Sequence, residues 1–256
     1  MNDLFTGKSK EEIAIERLRS FEPKDGTGYY CAFSGGKDSI VIYDLLKKSG
    51  CKFDTHYNFT TVDPPELVKF IKTFPDVSID RPNKSMFQLI TEKGILPSRV
   101  IRFCCSELKE RGGANRFVVV GIRWAESYGR SKRKMVEACF SDSRKFYIRP
   151  IIDWSDEDVW NYIKENKLPY CSLYDEGHKR IGCVMCPMAG KKQMLRDEKR
   201  WPKIAKAYLN SAIKAVETRK RKGLECKDDF STGEKLYHWW IHKPPKQDPD
   251  QTVMFE

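Results

Sequence analysis

A six-residue segment near the start of the chain has the composition of an anion-binding loop. Its residues are Ser34, Gly35, Gly36, Lys37, Asp38 and Ser39. The segment stands between an apolar run that predicts a buried strand and a stretch that predicts a helix. Glycines let the backbone turn tightly and approach an anion, and the first amides of a helix attract negative charge. Lys37 adds a full positive charge, so the segment predicts a phosphate-binding loop, although its spacing differs from the Walker A pattern.

Four of the nine cysteines form two close groups with the potential to bind a metal. Cys104 and Cys105 are adjacent, whereas Cys183 and Cys186 enclose two residues. Four thiolates suit a [4Fe–4S] cluster or a tetrahedral zinc ion, but zinc sites commonly use two C-x2-C pairs. Unligated thiols remain a third alternative, because a reducing compartment disfavours disulfides. The isolated cysteines predicted to be small buried side chains are Cys31, Cys51, Cys139 and Cys171.

Short apolar runs alternate with helical patterns over residues 28–168, which predicts an α/β fold with a parallel sheet covered on both faces. The predicted strands cover residues 29–33, 53–59, 77–79, 117–122 and 147–151. The predicted helices cover residues 10–21, 40–48, 64–74, 86–93, 156–166 and 202–222.

The predicted organisation has four parts. An N-terminal helix (1–27) precedes a nucleotide-binding domain (28–190), a basic helical extension (191–242) and a flexible tail (243–256). The chain has no apolar run long enough for a transmembrane helix, and its first residues are too charged for a secretory signal. We therefore expect a cytoplasmic protein with no membrane partner.

The segment Ser34–Ser39 resembles the PP-loop of ATP pyrophosphatases. Four further segments resemble one branch of that superfamily, the phosphoadenosine-phosphosulfate (PAPS) reductase-like proteins. They are Ile101–Lys109, Gly121–Ser127, Pro150–Trp160 and Leu168–Cys183. The resemblance implies a doubly wound, mostly parallel sheet of the adenine-nucleotide alpha-hydrolase-like kind, with the ligand at the carboxyl ends of the strands. It also implies that residues 28–190 bind an adenine nucleotide, either ATP or adenylyl sulfate.

Three residues outside the glycine turn are further candidates for the nucleotide site. Arg123 follows a predicted strand, where a guanidinium suits a phosphate or sulfate, although a structural ion pair with Glu126 is the alternative. Asp38 is a candidate ligand for Mg²⁺ or a cap of the following helix. The family often has a threonine–glycine pair near the ribose or adenine, and this chain has Thr60 followed by Thr61.

The cluster-bearing adenylyl-sulfate (APS) reductases also contain an adjacent cysteine pair and a C-x2-C pair. That resemblance assigns a [4Fe–4S] cluster to Cys104, Cys105, Cys183 and Cys186. Reductases of this family use a cysteine in a C-terminal Glu-Cys-Gly-Leu-His motif, which this chain lacks. Its last cysteine, Cys226, agrees with that motif only in the preceding glutamate, so it is either catalytic or incidental.

Three functions are compatible with these features. The first is ATP pyrophosphatase chemistry in sulfur transfer to nucleic acid, as in DNA phosphorothioation enzymes, with a sulfur donor such as a cysteine desulfurase. The second is an APS or PAPS reductase that uses Cys226 and thioredoxin. The third is a nucleotide-sensing DNA-binding module without turnover.

The charge pattern favours a polyanionic partner such as DNA or tRNA. The formal net charge is +11, and basic residues concentrate in 129–134 and in 191–222, although solvated helix faces have similar patterns. Residues 251–255 (Gln-Thr-Val-Met-Phe) loosely resemble a sliding-clamp-binding peptide.

Overall fold

The computed structural model describes residues 7–140, 142–224 and 230–242. The chain divides into two compact units. The sheet unit comprises Met1–Pro82 and Cys105–Gly182, and the helical unit comprises Asn83–Cys104 and Cys183–Glu256. None of the helices in the described ranges is long and apolar enough to cross a membrane.

One six-stranded sheet organises the sheet unit. The strands are β1 (Tyr29–Ala32), β2 (Phe53–Asn58), β3 (Val77–Asp80), β4 (Phe117–Val119), β5 (Val136–Cys139) and β6 (Asp142–Ile148). Their order is β3-β2-β1-β4-β6-β5, and every neighbouring pair is parallel except β5 with β6. The prediction of a doubly wound, mostly parallel sheet is confirmed. After β3 the chain continues at β4, on the other side of β1, and such a reversal opens a ligand crevice at the carboxyl ends of β1 and β4.

Five helices belong to the sheet unit: α1 (Lys10–Ser20), α2 (Lys37–Ser49), α3 (Pro65–Ile71), α5 (Tyr128–Ser131) and α6 (Asp156–Glu165). Capping boxes begin α1 and α6, with Ser9 and Ser155 as the caps. Helix α2 packs against β1, α1 and α6. The core that they share includes Leu18, Leu45 and Ile163, all essentially inaccessible to solvent. Burial of each such side chain stabilises the fold by about 1.5–3 kcal/mol, and this core holds the carboxyl edge of β1 in place.

Four helices described in the helical unit are α4 (Met86–Lys93), α7 (Lys191–Arg200), α8 (Pro202–Arg221) and α9 (Gly233–His242). Helix α8 packs against α4 and α9. Tyr208 of α8 makes ring contacts with Phe87 of α4 and Trp240 of α9, at centroid distances of 5.4 Å and 5.0 Å. The Trp240 indole donates a hydrogen bond to the carbonyl of Pro97. The helix predicted at 202–222 and the predicted helical C-terminal extension are confirmed, although no separate bounds were predicted for α7 and α9.

Several sequence-based boundaries were wrong, and three of these errors have a clear local cause. Helix α2 begins at Lys37 rather than residue 40, because Gly36 is its N-cap. Strand β4 ends at Val119 rather than residue 122, because the chain then turns toward Asp38 at Gly121. Strand β6 covers 142–148 rather than 147–151, and its hairpin partner β5 was missed because the pair is rich in charged residues.

Candidate functional site

The loop Ser34–Ser39, hereafter the anion loop, follows β1 directly and leads into α2. Gly35 has a left-handed φ of 69°. A Cβ at this position would also lie 2.8 Å from the Leu67 Cδ1 and 2.7 Å from the Ile71 Cγ1. The turn therefore needs glycine for both its conformation and its packing. The prediction of a strand–glycine turn–helix arrangement is confirmed.

Internal hydrogen bonds hold the anion loop in shape. The Ser39 hydroxyl donates to the carbonyl of Gly36 at 2.8 Å and accepts from the Ser34 amide at 3.2 Å. The Lys37 amide, the first of α2, donates to the phenol oxygen of Tyr174 at 2.9 Å. Burial raises the pKa of Tyr174, so the phenol stays protonated at neutral pH. The helix start is thus surrounded by polar groups, and the partial positive charge of the helix N-terminus is directed toward the carboxyl edge of the sheet.

Two buried cations lie together at the carboxyl edge of the sheet, beside the anion loop. Arg123 and Lys37 have only 2% and 5% of their surfaces exposed. The Arg123 Nε lies 2.7 Å from an Asp38 carboxylate oxygen, and another Arg123 nitrogen lies 2.9 Å from Asp156. The same Asp156 oxygen lies 3.0 Å from the Lys37 Nζ. The two carboxylates, Asp38 and Asp156, neutralise both cations and hold them in place.

The two carboxylates differ in their surroundings. Burial raises the pKa of Asp38, and this effect outweighs the opposing influence of Lys37 and Arg123. Burial also disfavours ionisation of Asp156, but Lys37 and Arg123 prevail there and lower its pKa. The Asp156 side chain is 64% exposed, so it is the more easily displaced partner of the two cations.

The Arg123 guanidinium has a different partner from the one that its sequence suggested. Glu126 accepts a hydrogen bond from the Arg123 backbone amide, at 3.0 Å, and forms its own ion pair with Arg130. A close approach by Gly121 brings Arg123 to Asp38, since a Cβ on Gly121 would lie 2.8 Å from the Asp38 Cβ and 3.0 Å from its carbonyl oxygen. The alternative of a structural ion pair is therefore observed, but with Asp38 and Asp156 rather than with Glu126.

Thr60 lies just after β2, at the carboxyl edge of the sheet, and is 1% exposed. Its amide donates to Asp63 at 2.8 Å, and its hydroxyl accepts weakly from the Val62 amide at 3.4 Å. Thr61 adopts a left-handed φ of 67°. A β-branched residue in this conformation is strained, so the turn after β2 carries a local cost.

The four metal-candidate cysteines are half-buried in the structure. Cys105 begins a π-helical turn, Cys105–Lys109, in the sheet unit. Cys104, Cys183 and Cys186 belong to the helical unit. Four thiols have the right donor chemistry for an iron–sulfur cluster. Among the described residues, however, no three His, Cys, Asp or Glu side chains lie close enough to hold a metal.

The Cys183–Cys186 pair encloses a tight turn within the helical unit. Val184 and Met185 are fully buried between the cysteines, and Met185 has a left-handed φ of 57°. The Met185 amide donates to a carboxylate oxygen of Asp197 at 2.7 Å. Asp197, which is 4% exposed, thereby fixes the backbone between the two thiols.

Some basic side chains of residues 191–222 form hydrogen bonds within the helical unit. Lys191 donates to the Trp240 carbonyl, and Lys222 donates to the Glu92 carbonyl at 3.2 Å. Cys226 and the clamp-like peptide 251–255 lie outside the described residues, so both remain predictions.

Sequence reasoning missed two residues of the site, Asp156 and Tyr174. The sequence placed Asp156 only at the start of the helix predicted at 156–166, and Tyr174 only in the segment Leu168–Cys183 that resembles the family. No local pattern marks either residue, because each reaches the anion loop from more than a hundred residues away along the chain.

Residues 28–189 match the family described as the phosphoadenosine phosphosulfate reductase domain. An uncharacterized protein of Methanocaldococcus jannaschii is 31% identical over 78% of this chain and 44% of its own length. The adenosine 5'-phosphosulfate reductase of Oceanobacillus iheyensis is 32% identical over 63% of this chain and 72% of its own length. The chain spans about half the length of the two Methanocaldococcus relatives that it matches.

The fold is similar to that of a solved phosphoadenylyl-sulfate (PAPS) reductase from Candida auris in a phosphate complex. The TM-score is 0.52 at 20% identity, and the match covers 70% of this chain and 90% of that one. At this identity the similarity supports the architecture of the sheet.

Proposed function

We propose that this chain, which belongs to the phosphoadenosine phosphosulfate reductase domain family, is an enzyme of the PP-loop type. In this proposal it binds ATP or adenylyl sulfate at the anion loop and activates or transfers sulfur. The observation that carries this proposal is the pair of buried cations, Lys37 and Arg123, at the start of α2. Burial strengthens their attraction for phosphate oxygens, because little water competes.

In this proposal the nucleotide phosphates lie against the anion loop and displace Asp156 from the two cations. The loop amides and the start of α2 bind the phosphate oxygens. Lys37 then neutralises the charge that develops on a departing pyrophosphate, while Arg123 fixes the orientation of the phosphates. Asp38 has the oxygen donors that Mg²⁺ prefers and would hold a nucleotide-bound magnesium ion, which would add positive charge to the leaving group.

We further propose that ATP cleavage serves sulfur transfer to a nucleic acid, of the DNA phosphorothioate type, with a cysteine desulfurase as the sulfur donor. The formal net charge of +11 supports this choice over sulfate reduction, because a basic protein attracts a polyanion.

The nucleotide chemistry is tested by product analysis with ATP and adenylyl sulfate as competing substrates. Release of pyrophosphate supports the proposed function. Lys37→Ala should reduce nucleotide affinity in either case, because it removes one of the two buried cations. Unchanged affinity in that variant would contradict the role given to the anion loop.

A reductase is the second candidate, favoured by the similarity to an adenosine 5'-phosphosulfate reductase over 72% of that protein's length. In that case thioredoxin supplies electrons and the protein releases sulfite. Cys226→Ser should abolish sulfite release, whereas pyrophosphate release from ATP should be unaffected by it. Tight ATP binding with no product from either substrate would instead indicate a nucleotide-sensing module.

We propose that Cys104, Cys105, Cys183 and Cys186 would hold a [4Fe–4S] cluster, which would supply sulfur-handling or electron-transfer chemistry. The test is iron and sulfide analysis after anaerobic reconstitution. Cys183→Ser should lower the iron content, and Cys171→Ser is the matched control because Cys171 is 1% exposed in the core. Iron-free protein after reconstitution would overturn the assignment.

A further inference from the structure

The segment Trp124–Lys134, hereafter the aromatic–basic segment, exposes two aromatic rings among lysines and arginines directly after Arg123. We propose that it binds single-stranded nucleic acid and presents it to the anion loop. This inference rests on the proposed function, because it identifies the surface that would bind the acceptor.

The exposure of the two rings is the first observation. The Trp124 side chain is 43% exposed and the Tyr128 side chain is 77% exposed. The Lys132 ammonium lies 4.3 Å from the Tyr128 ring centroid. An exposed ring with a cation beside it can stack a base and neutralise the adjoining phosphate, and proteins that bind single strands combine these two features.

The second observation is that the aromatic–basic segment is held in a defined shape. The Trp124 indole donates to the Arg133 carbonyl at 2.8 Å, which closes the segment on itself. The Trp124 amide donates to the Ile152 carbonyl at 2.8 Å, which joins it to the chain beyond β6. The Ser127 carbonyl accepts from the amides of Arg130 and Ser131. Fixed rings lose little entropy when a base stacks on them.

The basic side chains of the aromatic–basic segment differ in whether they form ion pairs. Arg130 forms an ion pair with Glu126, and Arg133 forms one with Glu137 at 3.1 Å. Lys132 and Lys134 are exposed, and neither forms an ion pair with any carboxylate in the described part of the chain. These two lysines are therefore available for phosphates.

A further pair of exposed cations lies near the anion loop in the same unit. They are Lys179 and Arg180, and the Lys179 carbonyl lies 3.5 Å from the Lys37 Nζ. A single-stranded nucleic acid that crosses the anion loop would thus meet positive charge at the aromatic–basic segment and again at residues 179–180. Exposed rings favour single strands over a duplex, since the faces of paired bases are already stacked.

The experiment is fluorescence anisotropy of labelled oligothymidine with the full-length protein, with single-stranded RNA and duplex DNA as parallel arms. We expect binding of one or both single strands, with weaker duplex binding. Tyr128→Ala should weaken single-strand binding about tenfold, since it removes one stacking partner. The double variant Lys132→Glu/Lys134→Glu should weaken it further and flatten the dependence on salt.

The matched control is Lys24→Glu/Lys72→Glu, which changes the net charge equally at two exposed lysines outside the segment. It should retain most of the affinity. Equal loss in the control, unchanged binding by Tyr128→Ala, or duplex binding as tight as single-strand binding would overturn the inference. Wild-type protein that binds ATP but no oligonucleotide would refute this surface alone, whereas protein that binds neither would refute the proposed function.

Discussion

The anion loop and the Cys183–Cys186 turn are both tight turns with a left-handed residue, but they bring their functional groups together by different means. Gly35 has a φ of 69° and Met185 a φ of 57°. Beside the anion loop, Arg123 shares Asp156 with Lys37 of the loop, so opposite charges assemble the site. The cysteine turn instead relies on neutral-backbone contacts, from the Met185 amide to Asp197 and from the Tyr208 hydroxyl to the Val184 carbonyl.

This difference has a physical origin. A site of mixed charge is stabilised by its own ion pairs and can form before its ligand arrives. Thiolates repel one another, so a set of four gains stability only from the metal that they bind. The anion loop should therefore depend on its internal partners, and the cysteines on a metal.

The largest effect is expected from Arg123→Leu. The change leaves the half-buried Asp38 without its closest cation and should lower the free energy of unfolding by about 3 kcal/mol, as when one partner of a largely buried pair is removed. Denaturant unfolding measures this loss. Arg133→Leu is the control, because its exposed ion pair with Glu137 should contribute less than about 1 kcal/mol. Similar losses in both variants would remove the distinction between a buried and a surface pair.

The pH dependence of the Arg123→Leu variant follows from Asp38. Its pKa is already raised by burial above the ordinary value of 3.8, and the loss of Arg123 should raise it further. The folded state then holds the proton more tightly than the unfolded state. That stabilisation is complete below the ordinary pKa and is lost as the pH rises through the raised one. The free energy of unfolding of the variant should therefore be closest to that of wild type in acid and lower than that of wild type at neutral pH.

Gly121→Ala should have the next largest effect. Its Cβ would lie 2.8 Å from the Asp38 Cβ and 3.0 Å from Asp38 backbone atoms, which cannot move without disturbing the start of α2. We expect a loss of about 2 kcal/mol and weaker binding of pyrophosphate, measured by denaturation and calorimetry. Gly129→Ala is the matched control, since its Cβ meets nothing within 4 Å. Normal pyrophosphate binding by Gly121→Ala would show that this close approach does not shape the site.

Asp197→Ala tests the cysteine turn in the metal-free protein. The change leaves the buried Met185 amide without its 2.7 Å acceptor and should cost about 1–2 kcal/mol. Lys199→Ala, on the same helix and exposed, should change stability by less than about 0.5 kcal/mol. Equal stability of the two variants would show that Asp197 does not hold the turn.

Asp156→Asn should have the smallest effect and the opposite sign. It removes a competing charge from Lys37 and Arg123, so pyrophosphate affinity should rise by about threefold to tenfold, or roughly 1 kcal/mol. Glu157→Gln removes the same charge one residue away and should have little effect on affinity. Weaker binding by Asp156→Asn would mean that Asp156 assists the anion rather than competes with it.

The predicted gain in pyrophosphate affinity of Asp156→Asn should depend on pH in a defined direction. The pKa of Asp156 lies below its ordinary value of 3.8, so the carboxylate stays ionised from about pH 5 to about pH 8. The difference in affinity between wild type and Asp156→Asn should be constant over that range. It should disappear as the pH falls through the lowered pKa, where wild type loses the same charge.

Local sequence predicted the anion loop well because all its parts are contiguous: a buried strand, two glycines and a helix start. Arg123 was also predicted, since a residue just past a parallel strand reaches the ligand edge of the sheet. The polar hairpin of β5 and β6 was poorly predicted, because an antiparallel edge pair needs no continuous apolar run. The cysteine spacing identified candidates for metal binding, but spacing does not specify where side chains lie in space.

The sequence by itself determined the parallel-sheet architecture, the loop at Ser34–Ser39 and the candidate role of Arg123, because these depend on the order of residues along short segments. Only the tertiary structure decided the partners of the two cations. Asp156 and Tyr174 reach the anion loop through the packing of α6 and of the turn at Ser172–Tyr174. Folding brings these groups into the site from distant parts of the chain, and the strength of their interactions depends on burial that no local pattern specifies.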